Sequence, residues 1–151
     1  MDSSSVTSQQ IAAVKASWAK LKPIADRAAI TFYNRLFKLD PTLKLLFVSD
    51  MEQQGQKLMG MIGIAVNNLD RLGDIEPAIQ ELGRRHVKYG VKHQDYDTVA
   101  DALLWTLQQG LGKEFTPEVE SSWIAVYKQL ASTMKEATLE EDNHGYSFGY
   151  A

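Results

Sequence analysis

Ile75-Glu76-Pro77-Ala78-Ile79-Gln80-Glu81-Leu82-Gly83-Arg84-Arg85-His86-Val87-Lys88-Tyr89-Gly90-Val91 is the stretch on which the reading of this chain turns. Ile75, Ile79, Leu82, His86 and Tyr89 recur at steps of three and four, the spacing that keeps side chains on one face of a helix. His86 therefore falls on an apolar stripe. An imidazole there needs a partner, because a polar group left unpaired among hydrocarbons costs roughly 1–3 kcal/mol. Two readings compete: a core histidine bonded to a backbone carbonyl, or a nitrogen that binds a ligand. Taken alone the first is the commoner, since histidine is intermediate in burial. The remainder of the chain reverses that preference.

Working outward, nearly every periodic segment has period 3.6, and no strand pattern is found. Upstream, a helix from about Glu52 to Leu72 sets Leu58, Ile62, Ala65, Val66 and Leu69 on one face, and one turn earlier that face meets Gln54. Leu72-Gly73-Asp74 is expected to separate it from the His86 helix. Gly90 should end the latter, where a left-handed cap residue goes. Thr7-Ser8-Gln9-Gln10 resembles a capping box that opens a first helix burying Ile11, Val14, Trp18 and Leu21. A second helix, from about Pro23 to Leu39, carries Ala29, Phe32, Tyr33, Leu36 and Phe37. Asp40-Pro41 starts a short helix closing at Phe47. Downstream, Asp95 to Leu111 carries Val99, Leu103, Leu107 and Leu111, and Thr116-Pro117 opens a last helix burying Trp123, Tyr127, Leu130 and Met134. Residues 1–138 are expected to form one all-α domain of crossed helices around a central cavity. Residues 139–151, acidic and then rich in glycine and tyrosine, are expected to be a mobile tail.

Composition narrows the function. The 151 residues are 44% hydrophobic and include five Phe, six Tyr and three Trp, enough to fill a core. Net charge is −3, from 16 Lys plus Arg against 19 Asp plus Glu, and no basic block could track a phosphate backbone, so nucleic acid is not an expected partner. Without cysteine there is no disulfide, thiolate-held zinc or thiol catalysis, and a reducing cytoplasm is the simplest setting. The start lacks the sections of a secretion signal, and no apolar run reaches 18 residues, so no membrane partner is expected.

Three polar groups on core-facing stripes are odd for a plain core: the phenol of Tyr33, the amide of Gln54 and the imidazole of His86. Each alone is usually structural. With Phe47 in the corner between helices, they suggest a shared pocket with two different sides, one offering a nitrogen suited to iron and the other hydrogen-bond donors suited to a small polar ligand.

The chain resembles the globins, in particular single-domain globins of the bacterial or neuroglobin-like type. The resemblance rests on Trp18, on Phe32-Tyr33-Asn34-Arg35-Leu36-Phe37, on Asp40-Pro41 through Leu45-Leu46-Phe47, on Gln54-Gly55-Gln56-Lys57-Leu58, and on Leu82-Gly83-Arg84-Arg85-His86 through Tyr89-Gly90-Val91. It spans about residues 8–138. Its most specific marks are a Phe 14 residues after Tyr33 and a His 32 residues after Gln54.

The resemblance implies haem b with His86 as proximal iron ligand. It implies Phe47 stacked on the porphyrin, Leu82 and Val91 on the proximal side, and Tyr33, Gln54 and Leu58 on the distal side. Tyr96 and Val99 would also touch the haem. Lys57 would reach a propionate or, in a rarer arrangement, supply a sixth iron ligand. Gly55 facing Ala29 would let two helices cross closely, and the Leu82 carbonyl would fix the His86 tautomer. The chain departs from many globins in having Gln54 where they have a distal histidine, which argues against ligation by two histidines. Arg85 stands where muscle-type globins have a serine bonded to the proximal imidazole.

The implied function is binding, and transport in that general sense, of O₂ and of related diatomics such as CO and NO at a pentacoordinate iron. A hydrogen bond to a partly charged ligand contributes roughly 1.5–3 kcal/mol, so Tyr33 and Gln54 together would slow release on the order of 10- to 10⁴-fold. Such a hold suits scavenging, sensing or chemistry better than carriage between tissues. The competing reading is an enzyme, a nitric oxide dioxygenase or a related NO, nitrite or peroxide chemistry. Tyr96 falls where flavohaemoglobins place a tyrosine of their proximal network, while the glutamate of that network would fall at Thr138. With no reductase domain expected after the globin domain, such an enzyme would need an external reductase.

Overall fold

The computed structural model describes residues 6–47 and 50–146, with side chains up to Leu139. Among the described residues it is helical nearly throughout and has no strand. The α-helices are α1 (Ser8–Leu21), α2 (Ala25–Leu39), α3 (Met51–Asn67), α4 (Leu72–Lys88), α5 (Asp95–Leu111) and α6 (Pro117–Tyr146). Single 3₁₀ turns at Lys22–Ile24, Leu69–Arg71 and Gly112–Glu114, and a longer one at Pro41–Leu46, join them.

Local chemistry accounts for most boundaries. Thr7 Oγ1 accepts from the Gln10 amide at 3.1 Å while Gln10 Oε1 accepts from the Thr7 amide at 2.9 Å, closing the capping box. Asp40 caps the Pro41–Leu46 turn through the Thr42 amide at 3.1 Å, and Asp50 caps α3 through the Glu52 amide at 2.9 Å. Gly90, with φ of 98°, ends α4 in the left-handed conformation that L residues avoid.

Three expectations are revised. Leu72-Gly73-Asp74 does not separate two helices; it is the first turn of α4, and Pro77 lies inside that helix. Proline forfeits the bond to the carbonyl four residues back, here Gly73, but Gly73 is exposed and water can satisfy it. Tyr89 leaves the stripe of α4 and is 60% exposed. The backbone of α6 continues to Tyr146, past the expected start of the tail at 139, and residues 147–151 lie outside the described residues.

Packing divides the molecule. One core joins α1, α3, α5 and α6 through Val14, Trp18, Met59, Val66, Leu107 and Trp123, with the indole of Trp123 donating to Ser17 Oγ at 2.8 Å. A second joins Phe32, Tyr33 and Leu36 of α2 to Leu43 and to Ala102 of α5. α3 packs on α2 and α1, whereas α4 packs chiefly on α6. Consecutive in sequence, α3 and α4 scarcely touch.

Gly83 sets the α4–α6 approach. A Cβ there would stand 2.5 Å from the Met134 carbonyl oxygen and 2.8 Å from its Cα, both backbone atoms that cannot swing aside. Overpacking typically costs 1–3 kcal/mol, against a gain in helix propensity of under about 1 kcal/mol. We expect Gly83→Val to destabilise the fold by about 2 kcal/mol in chemical denaturation. A neutral or stabilising effect would mean that α4 and α6 do not approach this closely.

Candidate functional site

His86 lies in the last turn of α4. Its Nδ1 is 2.8 Å from the Leu82 carbonyl oxygen, an i−4 contact that satisfies one ring nitrogen and leaves Nε2 as the lone-pair nitrogen of the neutral ring. Burial lowers its pKa below the usual histidine value. The Leu82 carbonyl works against that shift, and the neighbouring Arg85 charge adds to it. A neutral imidazole with one N–H committed and the other nitrogen free is the form a metal needs.

The surroundings of His86 are apolar but only partly covered. Gly83 is the one fully buried residue of α4. Ile75, Ile79, Leu82 and His86, the whole stripe, remain half-buried, so protein alone does not cover it. α3 repeats the pattern. Gly55, Met59 and Val66 are buried against α1 and α2, whereas the adjacent Gln54, Leu58 and Ile62 stay half-buried. Two helices thus present half-covered apolar stripes while packing on different partners, a geometry suited to a large flat apolar group ligated by nitrogen.

Tyr33 is the buried phenol of α2. Its ring lies 5.3 Å from Phe47, 5.8 Å from Phe37 and 5.0 Å from Phe32. Burial raises its pKa, and the nearby Gln54 side chain opposes the rise. Leu58 and Val99 pack against the same cluster. The crossing that brings Gln54 to Tyr33 needs Gly55, whose hypothetical Cβ would stand 2.9 Å from Ala29 Cβ.

α5 connects the two sides. The Tyr96 ring stands 6.2 Å from that of His86, and Val99, three residues on, joins the Tyr33 cluster. Among the described residues no hydrogen bond or ring contact joins His86 directly to Tyr33 or Gln54. Val91, half-buried, donates its amide to the His86 carbonyl at 2.9 Å. Leu46, next to Phe47, approaches the end of α4 at Gly90. Lys57 is exposed.

Some of the site was not anticipated. Nothing local in the sequence marks the approach of Gly83 to Met134. His93, in the loop before α5, bonds through Nε2 to Thr138 Oγ1 at 2.8 Å and so ties that loop to α6. Two cavities of about 430 and 440 Å³ lie elsewhere, between α1 and the start of α6 and between α5 and α6. Neither is lined by Tyr33, Gln54 or His86. Among the described residues no cluster of His, Asp or Glu could hold a bare metal ion, and no helix is long and apolar enough to cross a membrane.

Comparison with known proteins identifies the family and the fold. The neuroglobin of Danio rerio is 30% identical, over 87% of this chain and 91% of its own. An anaerobic nitrite reductase of Arabidopsis thaliana is also 30% identical, over 91% and 96%. The crystal structure of a hexacoordinated heme protein from an anhydrobiotic tardigrade superposes with a TM-score of 0.79 at 17% identity, over 87% of this chain and 94% of that one. The Globin family model matches residues 30–134. This chain belongs to the globin family, with its all-α fold and its haem-based ligand binding.

Proposed function

We propose that this globin binds O₂ and other diatomic ligands at haem b, with His86 as the single protein ligand of the iron and Tyr33 and Gln54 as distal donors. The half-covered stripe of α4 around an imidazole with Nδ1 already committed carries this reading. Haem supplies the iron at which a diatomic ligand binds; the chain supplies everything that decides how long the ligand stays. His86 offers Nε2, and the Leu82 carbonyl holds the ring in that tautomer. Leu82, Val91, Tyr96, Val99 and Phe47 would enclose the porphyrin in apolar surface, and Lys57, exposed, would meet a propionate. Tyr33 and Gln54 would donate to the negative end of the ligand.

Because Gln54 stands where a second histidine would have to be, the deoxy ferrous protein is expected to be five-coordinate, unlike the hexacoordinated heme protein of the tardigrade. The absorption spectrum of the ferrous protein at neutral pH, before and after O₂ or CO, tests this. A low-spin six-coordinate spectrum would overturn it, and loss of that spectrum in Lys57→Ala would identify the lysine as the sixth ligand.

A second reading is favoured by the nitrite reductase of Arabidopsis thaliana. In it the same pocket serves NO or nitrite chemistry with electrons from an external reductase. Nitrite consumption by the dithionite-reduced protein under anaerobic conditions, faster than for free haem, would support it.

A further inference from the structure

Between α5 and α6 lies a cavity of about 440 Å³. Ala100 on α5 and Ala131 on α6 line it beside the larger Leu104, Trp123 and Tyr127. The polar atoms of those walls are already used. Tyr127 donates its hydroxyl to the Tyr96 carbonyl at 2.7 Å, and the Trp123 indole donates to Ser17. Apart from Ser132 and the charged residues at its edge, the lining is apolar and aromatic, and the volume is in the size range of small-molecule sites.

The charge around it is uneven. Lys128 and Lys135, two turns apart on α6, both line the cavity, and Asp97 is its one carboxylate. Among the described residues neither lysine is paired with a carboxylate. The Lys135 ammonium lies 5.2 Å from the Tyr96 ring centroid. Two cations over an apolar chamber suit a ligand with one anionic head and a hydrocarbon body, because each end then finds its complement.

We propose that the α5–α6 cavity binds an amphipathic monocarboxylate, its apolar body among Leu104, Trp123 and Tyr127 and its carboxylate between Lys128 and Lys135. This site is separate from the pocket of Tyr33 and Gln54 and does not rest on the assignment of His86. Tyr96 lines the cavity and also stands against His86, so the test has to tell the two sites apart.

Calorimetric titration of the full chain as purified with decanoate, below its micelle concentration, tests the proposal. Saturable one-to-one binding is expected, unchanged when the protein is saturated with CO. The double variant Lys128→Gln/Lys135→Gln should weaken it about tenfold through loss of the charged donors. Ala100→Leu should abolish it by filling the chamber, and decyltrimethylammonium should not bind. Absence of saturable binding at millimolar decanoate would overturn the proposal. So would displacement by CO, equal binding of the cationic analogue, or full binding by the double lysine variant.

Discussion

His86→Gly is expected to purify with little or no haem, and added imidazole should restore both the haem and its spectrum. Mutations in groups that merely orient a metal ligand commonly cost 10- to 100-fold in affinity, so loss of the ligand itself should exceed about a hundredfold. The substitution removes the ring that bonds to the Leu82 carbonyl, and a helical glycine costs roughly 1 kcal/mol more than alanine. That loss is tolerable because His86 is only half-buried and α4 is anchored to α6 through Gly83, a turn away. Far-UV circular dichroism should therefore stay helical while the haem bands vanish. Exogenous imidazole fits the space left by the ring and can offer the same nitrogen. Unchanged bands in His86→Gly would remove His86 from the iron. Loss of helix together with haem, unrelieved by imidazole, would make its role one of packing.

Features of this site that rest on neighbours along one helix were legible in the sequence. The contact from His86 to Leu82 follows from a spacing of four, and the capping box at Thr7 from a spacing of three, Thr7 to Gln10. The close crossing at Gly55 and Ala29 was legible as well, but only through resemblance to a family in which those helices are known to meet. The start of α4 was not. Leu72, Gly73 and Asp74 read as a separator between helices, whereas they form the first turn of α4, a helix whose packing, chiefly on α6, outweighs their weak local preferences. Contacts between residues remote in sequence left no trace either: Gly83 against Met134, His93 on Thr138, and the chamber between Ala100 and Ala131. Each depends on where two helices cross, and periodicity fixes which face a helix buries without fixing what that face meets.

Tyr33→Phe is expected to release O₂ about tenfold faster or more, and Gln54→Leu to accelerate it less. The phenyl ring keeps the aromatic packing, since the contacts to Phe32, Phe37 and Phe47 are made by the ring and not by the hydroxyl. Only the O–H is lost, and a loss of roughly 1.5 kcal/mol in donation to a partly charged oxygen corresponds to about tenfold. Burial raises the pKa of Tyr33 further, so it stays protonated and able to donate across the whole working range of pH. Tyr33 has a short stem and a buried ring, so little rotational freedom is lost when it bonds. Gln54 is half-buried on a longer stem, and ordering its amide costs more. The Gln54 side chain also acts on the Tyr33 hydroxyl, opposing the rise in its pKa, so part of any effect of Gln54→Leu would pass through the phenol. Two comparisons isolate the donor role. CO carries much less negative charge when bound, so its release should scarcely change in either variant. The double variant Tyr33→Phe/Gln54→Leu should fall short of the product of the two single effects, because residues in contact are coupled. Stopped-flow release of O₂ decides between the two donors: if Gln54→Leu proves the faster, the amide is the principal donor and the phenol its support.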